Sequence, residues 1–255
     1  MGKSDPVRRV PMDVAVALAL LTRLPLPSLP QSAFASQARA VWAFPAVGAV
    51  TGVLAASVGL GTLSLGLPAT VAAGLCLAVQ ILLTGAMHED GLADTADGLW
   101  GGWSRERRLE IMKDSAIGTY GVLALILSLG LRWSALTLLL PLGAAPVIAA
   151  AMLSRAAMPV IMAALPHARA DGLSRSVGAP PRPAVLAGLV LALGSAALLL
   201  GMAIIAPVLS AAALVAGLAL LARARIGGQT GDILGASQQL AEIAVLLGLL
   251  AALPE

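Results

Sequence analysis

Charge is what this chain has least of. Only 11% of its 255 residues are charged, against 59% hydrophobic, and the mean hydropathy is +0.93. A soluble domain carries about 25% charged residues, so a water-exposed globule is excluded and a polytopic helical membrane protein is expected. Cysteine is nearly absent as well. The single Cys76 rules out an internal disulfide, and its apolar neighbours make it a small core or lipid-facing residue. Aromatic residues amount to 3%, with one Tyr, two Phe and four Trp, so no stacking platform for a large ring system stands out. The isoelectric point near 9.7 arises from few charges rather than from a basic helix interleaved with aromatics, and nucleic acid is not expected as a partner.

What is present is a series of apolar runs, at about 42–65, 69–87, 119–140, 143–165, 184–206, 208–222 and 237–253. Several are rich in Ala and Gly, which suits close helix packing in lipid. The expected fold is all-α, one membrane domain over residues 1–255 with about seven transmembrane helices. Six or eight are the alternatives, because the N-terminal segment and 208–222 are marginal. Basic residues sort the connections. Lys3, Arg8, Arg9, Arg23 and Arg39 precede the first run. Arg105, Arg107, Arg108 and Lys113 lie in 88–118, Arg169, Arg175 and Arg182 in 166–183, and Arg223 and Arg225 in 222–231. The short links near 66–68, 141–142 and 207 carry no charge. By the positive-inside rule the basic side faces the cytoplasm, which for a bacterial protein means the inner membrane. Arg8 and Arg9 ahead of 14–21 imitate a signal peptide. That run is short and opens on Asp13, and Thr22-Arg23-Leu24-Pro25 follows it in place of a small-residue cleavage site. The segment is expected to be retained, lying at the interface or partly inserted.

Seven of the 13 acidic residues fall between Glu89 and Asp114. Asp90, Asp94 and Asp97 stand at i, i+4 and i+7, which on a helix places them on one face within roughly 60° of arc. Like charges about 6 Å apart repel by roughly 3 kcal/mol per pair at an effective dielectric near 20. No Lys or Arg lies between positions 40 and 104 to relieve them. A divalent cation would, and hard oxygen ligands without a Cys or His cluster favour Mg²⁺, Mn²⁺ or Ca²⁺ over zinc. The His88-Glu89 pair suggests a zinc-protease helix, but Leu92 stands where that motif needs its second His. His88 and His167 then read as interfacial hydrogen-bonding residues. Glu106 and Glu110 lie among basic residues, so a solvated, ion-paired helix suits them as well as a functional one.

Gly227-Gly228-Gln229-Thr230-Gly231-Asp232 is a glycine-rich polar turn whose backbone N–H groups could approach a phosphate, although it lacks the Lys-Ser/Thr of a P-loop. Gly118-Thr119-Tyr120-Gly121 reads more simply as the start of a helix. Two arginines lie inside apolar runs. Arg132, toward the outer part of its span, is expected to snorkel to the lipid interface. Arg155 lies near the middle of 143–165, where a lone charge costs roughly 2.5–3.5 kcal/mol on insertion scales. It is expected to face the bundle, against a phosphate or a carboxylate. An acidic metal platform ringed by cations is the recurring equipment of phosphoryl transfer.

Taken in order, these blocks resemble the cobalamin synthase family, the adenosylcobinamide-GDP ribazoletransferases. The likeness covers nearly the full length: Thr22-Arg23-Leu24-Pro25, Phe44-Pro45-Ala46-Val47-Gly48, the acidic block 88–98, Leu109-Glu110-Ile111-Met112-Lys113-Asp114-Ser115 running into Ile117-Gly118-Thr119, and the 227–232 turn continuing into Leu234-Gly235-Ala236. The chain departs from the family pattern at Glu89, often Leu, which is therefore not taken as a ligand. It departs also at Ala116, commonly Arg, and at Gln238-Gln239, where acidic residues are frequent. The resemblance implies a Mg²⁺-dependent enzyme that joins adenosylcobinamide-GDP to α-ribazole, or to its 5′-phosphate, and releases GMP. It implies that Asp90, Asp94 and Asp97 hold the metal, with Asp114 as a fourth ligand or the general base. Lys113, Arg155 and Arg108 would clamp phosphates, and Gly228, Thr230 and Asp232 would help hold a nucleotide. Among rival readings, a CDP-alcohol phosphotransferase needs an Arg soon after its Asp-Gly pair, where Ala93 and Asp94 stand. A divalent-metal transporter needs carboxylates near the midplane, whereas these lie at span ends. The lower base and the oligomeric state stay open.

Overall fold

In lipid, a segment that cannot close into a barrel satisfies its own backbone only as a helix. The computed structural model describes residues 6–35 and 37–253. Among them the secondary structure is helical, apart from one isolated bridge between His167 and Gln229. Lys3 and the side chains of Arg8 and Arg9 lie outside the described residues. The helices are α1 (Pro6–Leu21), α2 (Gln31–Phe34), α3 (Phe44–Ser64), α4 (Ala69–Thr84), α5 (Met87–Gly101), α6 (Arg105–Ile111), α7 (Thr119–Leu139), α8 (Ala145–Ala164), α9 (Leu173–Val177), α10 (Arg182–Leu200), α11 (Ile205–Ile226) and α12 (Gly231–Ala251).

Among the described residues, five helical stretches are long and apolar enough to cross a membrane, or six if the bent pair α4–α5 is one broken span. That count is lower than the expected seven, and within the alternative of six only if α4–α5 is one span; two places make the difference. The run expected at 69–87 stops at Thr84 and the chain turns by 86° before α5, leaving α4 only 16 residues. The runs expected at 184–206 and 208–222 are the separate helices α10 and α11, joined by the 3-10 turn Gly201–Ile204 into one 45-residue apolar stretch, Arg182–Ile226, which enters that count once. The last helix also begins earlier than expected, at Gly231, so Asp232 belongs to its first turn.

Helix α12 is the centre of the bundle and packs against α5, α7, α8 and α11. Helix α3 lies between α4 and α8, and α10 rests on α8. The α3–α8 contact depends on Gly48 and Gly52, four apart. A Cβ at Gly48 would fall on the Ala151 carbonyl, and one at Gly52 would lie 2.9 Å from the Ile148 Cα. This is close small-residue packing of the kind lipid-embedded helices favour. Cys76 is buried beside Gly59, as a core residue. Helix α1 stays with the bundle, burying Val16, Ala17 and Leu21, while Asp13 accepts the Trp42 indole N–H at 3.0 Å.

The polar connections meet at one end. Arg105 donates from Nε to the Ile226 carbonyl at 2.9 Å and from Nη2 to the Ala168 carbonyl at 2.6 Å. Arg108 donates to the Arg225 carbonyl at 3.2 Å, and Gln37 to the Ser176 carbonyl at 2.6 Å. Segments far apart in sequence thereby form one basic face with α5 beneath it.

Candidate active site

The elbow between α4 and α5 aims the acidic block. Gly85 closes α4 at φ 65°, and Ala86 follows at φ 59°. The second value is uncommon for a residue with a side chain, and two left-handed residues in succession swing the chain sharply. Helix α5 then crosses α12 at a glycine pair. A Cβ at Gly91 would lie 2.9 Å from the Asp232 carbonyl oxygen and 3.1 Å from the Gly235 Cα, and one at Gly235 would lie 3.2 Å from the Gly91 Cα. The close crossing brings Asp90 and Asp94 up to Asp232. Asp94 sits in the combined field of Asp90, Asp232 and Asp97, opposed by Arg169.

Asp232 is held by its own helix end. Thr230 caps α12 by accepting the Ile233 N–H at 3.3 Å and donates its hydroxyl to Asp232 Oδ2 at 3.1 Å. Arg169 Nη2 lies 3.3 Å from the same oxygen. Arg169 is placed there by backbone pairing: Gln229 N–H donates to the Pro166 carbonyl at 2.8 Å, and Ala168 N–H to the Gln229 carbonyl at 2.9 Å. His167 joins this clamp, with Gln229 Nε2 donating to its Nδ1 at 2.8 Å. Burial, with the Arg175 charge adding to it, lowers the His167 pKa below the ordinary imidazole value, which suits an accepting Nδ1. At the rim, Asp171 takes Lys113 Nζ at 2.6 Å, and that bond leads in holding its carboxyl below the usual range.

Asp97 has a different employment from the one expected. Its Oδ2 accepts the Gly118 N–H at 2.7 Å and its Oδ1 the Gly121 N–H at 2.9 Å. Helix α7 is capped by a glycine with no side chain of its own, so Asp97 supplies the missing acceptor from another helix. A Cβ at either glycine would fall on that carboxylate. The expected three-aspartate ligand face is corrected accordingly. Asp94 keeps Asp90 and Asp232 as charged neighbours, Asp97 serves α7, and no group of three His, Cys, Asp or Glu among the described residues is arranged to hold an ion.

Beneath the acidic residues lies a buried ionic network that sequence reasoning missed. Arg132 is 1% exposed, not at the lipid interface as expected. Its Nη1 donates to Glu89 Oε1 at 2.8 Å and Gln239 Oε1 at 2.9 Å, and its Nη2 to Gln80 Oε1 and Glu242 Oε1, each at 3.0 Å. Gln238 Nε2 adds bonds to Glu242 Oε2 at 2.6 Å and Ser154 Oγ at 3.0 Å. Gln80 and Glu89 stand on opposite sides of the elbow, so one guanidinium fixes both arms. Arg155 faces the bundle as expected, in the field of Glu242, and donates to the Ala151 carbonyl at 3.0 Å. Its guanidinium is buried, and among the described residues it forms no ion pair with a carboxylate.

The other expected residues are scattered. Asp114 is exposed and its Oδ1 accepts the Ala116 N–H at 3.1 Å. Gly228 packs closely on protein, since a Cβ there would fall on the Pro166 carbonyl. Lys113 and Arg108 remain on the basic face.

The geometry predicts that Gly91→Ala separates α5 from α12. Overpacking against backbone costs about 1–3 kcal/mol. Turnover should fall more than stability, checked by product formation beside thermal unfolding in detergent; equal activity would show that the crossing does not set the site.

Comparison with known proteins gives the family. The model described as cobalamin-5-phosphate synthase matches residues 13–250. The chain belongs to the cobalamin-5-phosphate synthase family. Relatives named adenosylcobinamide-GDP ribazoletransferase include one from Bradyrhizobium diazoefficiens, 49% identical over 96% of this chain and 95% of that protein. One from Azorhizobium caulinodans is 47% identical over 95% and 96%, and one from Mesorhizobium japonicum 43% over 94% and 93%. No solved structure matches. The synthase family thus covers the elbow, the acidic crossing, the Arg132 network and the basic face together.

Proposed function

We propose that this chain catalyses the joining of adenosylcobinamide-GDP to α-ribazole, or to its 5′-phosphate, at the basic end of the bundle. The observation that carries the reading is near-complete coverage by relatives that bear that enzyme's name. The site agrees with it. Asp90, Asp94 and Asp232 offer only oxygen donors at the crossing, and Mg²⁺ is commonly bound by one or two carboxylates together with substrate phosphates. One or two of these aspartates would therefore suit a Mg²⁺-substrate complex, the substrate supplying the remaining oxygens, with Asp232 in the place expected of Asp97. Bound there, the ion would polarise the diphosphate and offset charge on the leaving group.

The residues' own work follows from their chemistry. Arg169, Lys113 and Arg108 draw the diphosphate to the basic face, Arg169 exchanging Asp232 for a phosphate oxygen. A ribazole hydroxyl attacks the phosphorus next to the corrinoid arm. The new P–O bond forms as the bond to the bridging oxygen breaks, and that oxygen leaves with GMP. An aspartate of the crossing accepts the hydroxyl proton. The basic face lies on the cytoplasmic side of the inner membrane, where the positive-inside rule puts it.

The test is reconstitution in liposomes with adenosylcobinamide-GDP and α-ribazole, scoring corrinoid product and GMP. Product is expected with Mg²⁺ and none after chelation. Absence of product under both conditions, with turnover of a CDP-alcohol lipid precursor instead, would overturn the reading.

A further inference from the structure

The 45-residue stretch that carries α10 and α11 does not pack upon itself. The chain reverses at Gly201, φ 60°, after which α11 leans on α12 while α10 rests on α8. Between them lies a groove of about 620 Å³, bounded by α8, α10, α11 and α12. Its size falls within the range of small-molecule sites, about 300–1,000 Å³. The walls are apolar, many of the lining residues are alanines, and Arg223 is the one charged residue among them. From Val208 to Arg223 the groove follows α11 for about 22 Å at 1.5 Å per residue. One leaflet offers roughly 15 Å, half of a 30 Å hydrocarbon core. The groove therefore runs from the apolar interior to headgroup depth, and Arg223 stands at the headgroup end.

Arg223 is exposed, and its side chain has no hydrogen-bonded or ion-paired partner among the described residues. We propose that the groove is a phospholipid site, with an acyl chain lying between α8 and α11 and the lipid phosphate on the Arg223 guanidinium. Lipid tails are as apolar as these walls, so transfer alone selects nothing. Selection comes from filling a void whose lining otherwise lacks contacts, and from a charge-assisted hydrogen bond to phosphate. A second copy of the chain is the poorer occupant. Residues 182–226 contain no Asp or Glu, so a copy docking through the same face brings no carboxylate to Arg223.

The test is native mass spectrometry of the full chain released from mild detergent, titrated with phosphatidylglycerol and, separately, with a diacylglycerol that lacks the phosphate. The wild type is expected to hold one phosphatidylglycerol and to bind the diacylglycerol about fivefold less well, the worth of one surface arginine near a lipid phosphate. Arg223→Gln should bring the two lipids to equal, weak binding. Ala212→Phe with Ala216→Phe, both exposed into the groove, should displace the lipid from a protein whose circular dichroism is unchanged. Equal binding of both lipids by the wild type would overturn the proposal. So would lipid retention by the Phe variant, or a dimer that the Phe variant abolishes.

Discussion

Replacing Arg132 by Met should destabilise the protein by about 3–5 kcal/mol, the usual cost of leaving a buried charge without its partner. Two carboxylates depend on that guanidinium, Glu89 at 2.8 Å and Glu242 at 3.0 Å, and all three side chains are buried. Because the same group also holds Gln80, the substitution loosens both sides of the elbow that carries Asp90 and Asp94. Adding Glu89→Gln and Glu242→Gln removes the stranded charges and should restore much of the stability. Denaturation of the single and triple variants in detergent measures this directly. If the single variant melts like the wild type, the network does not hold the bundle.

The second large effect separates two aspartates that look alike in sequence. Asp94→Asn should lower turnover by about 100-fold or more, the scale on which a group acting at the reacting centre is felt. It should leave stability unchanged or raised, since it removes one like charge from beside Asp90 and Asp232. Asp97→Asn should do the reverse. Its amide would set a donor against one of the two N–H groups at the start of α7, a loss of about 1–3 kcal/mol. The folded fraction should keep most of its activity. Turnover and unfolding measured side by side on the two variants decide it. Equal catalytic losses would restore Asp97 to the reacting group.

The spans were legible in the sequence because hydropathy is local: α3, α7 and α8 begin and end within a few residues of the runs at 42–65, 119–140 and 143–165. The elbow was not, since Gly85 and Ala86 interrupt nothing in the composition of 69–87 and only a left-handed backbone turns the chain there. Asp90 and Asp94 could be found from spacing and from the absence of nearby bases. The employment of Asp97 depends on residues 118 and 121, and that of Arg132 on positions 80, 89, 239 and 242, pairings that span up to 110 residues. Glycine misled in one place and informed in another. Gly228 packs against Pro166, while Gly91 and Gly235, which carried no signal alone, make the crossing that assembles the site.

The central proposal is that carboxylates of the Asp90, Asp94 and Asp232 crossing, completed by the substrate's phosphate oxygens, seat a divalent cation. It is tested most directly by substituting Mn²⁺ for Mg²⁺ and counting bound metal by electron paramagnetic resonance in the presence of adenosylcobinamide-GDP. The wild type should bind Mn²⁺ and lose it when all three aspartates are changed to asparagine. Equal Mn²⁺ binding by the triple variant, folded and carrying the same substrate, would contradict the claim.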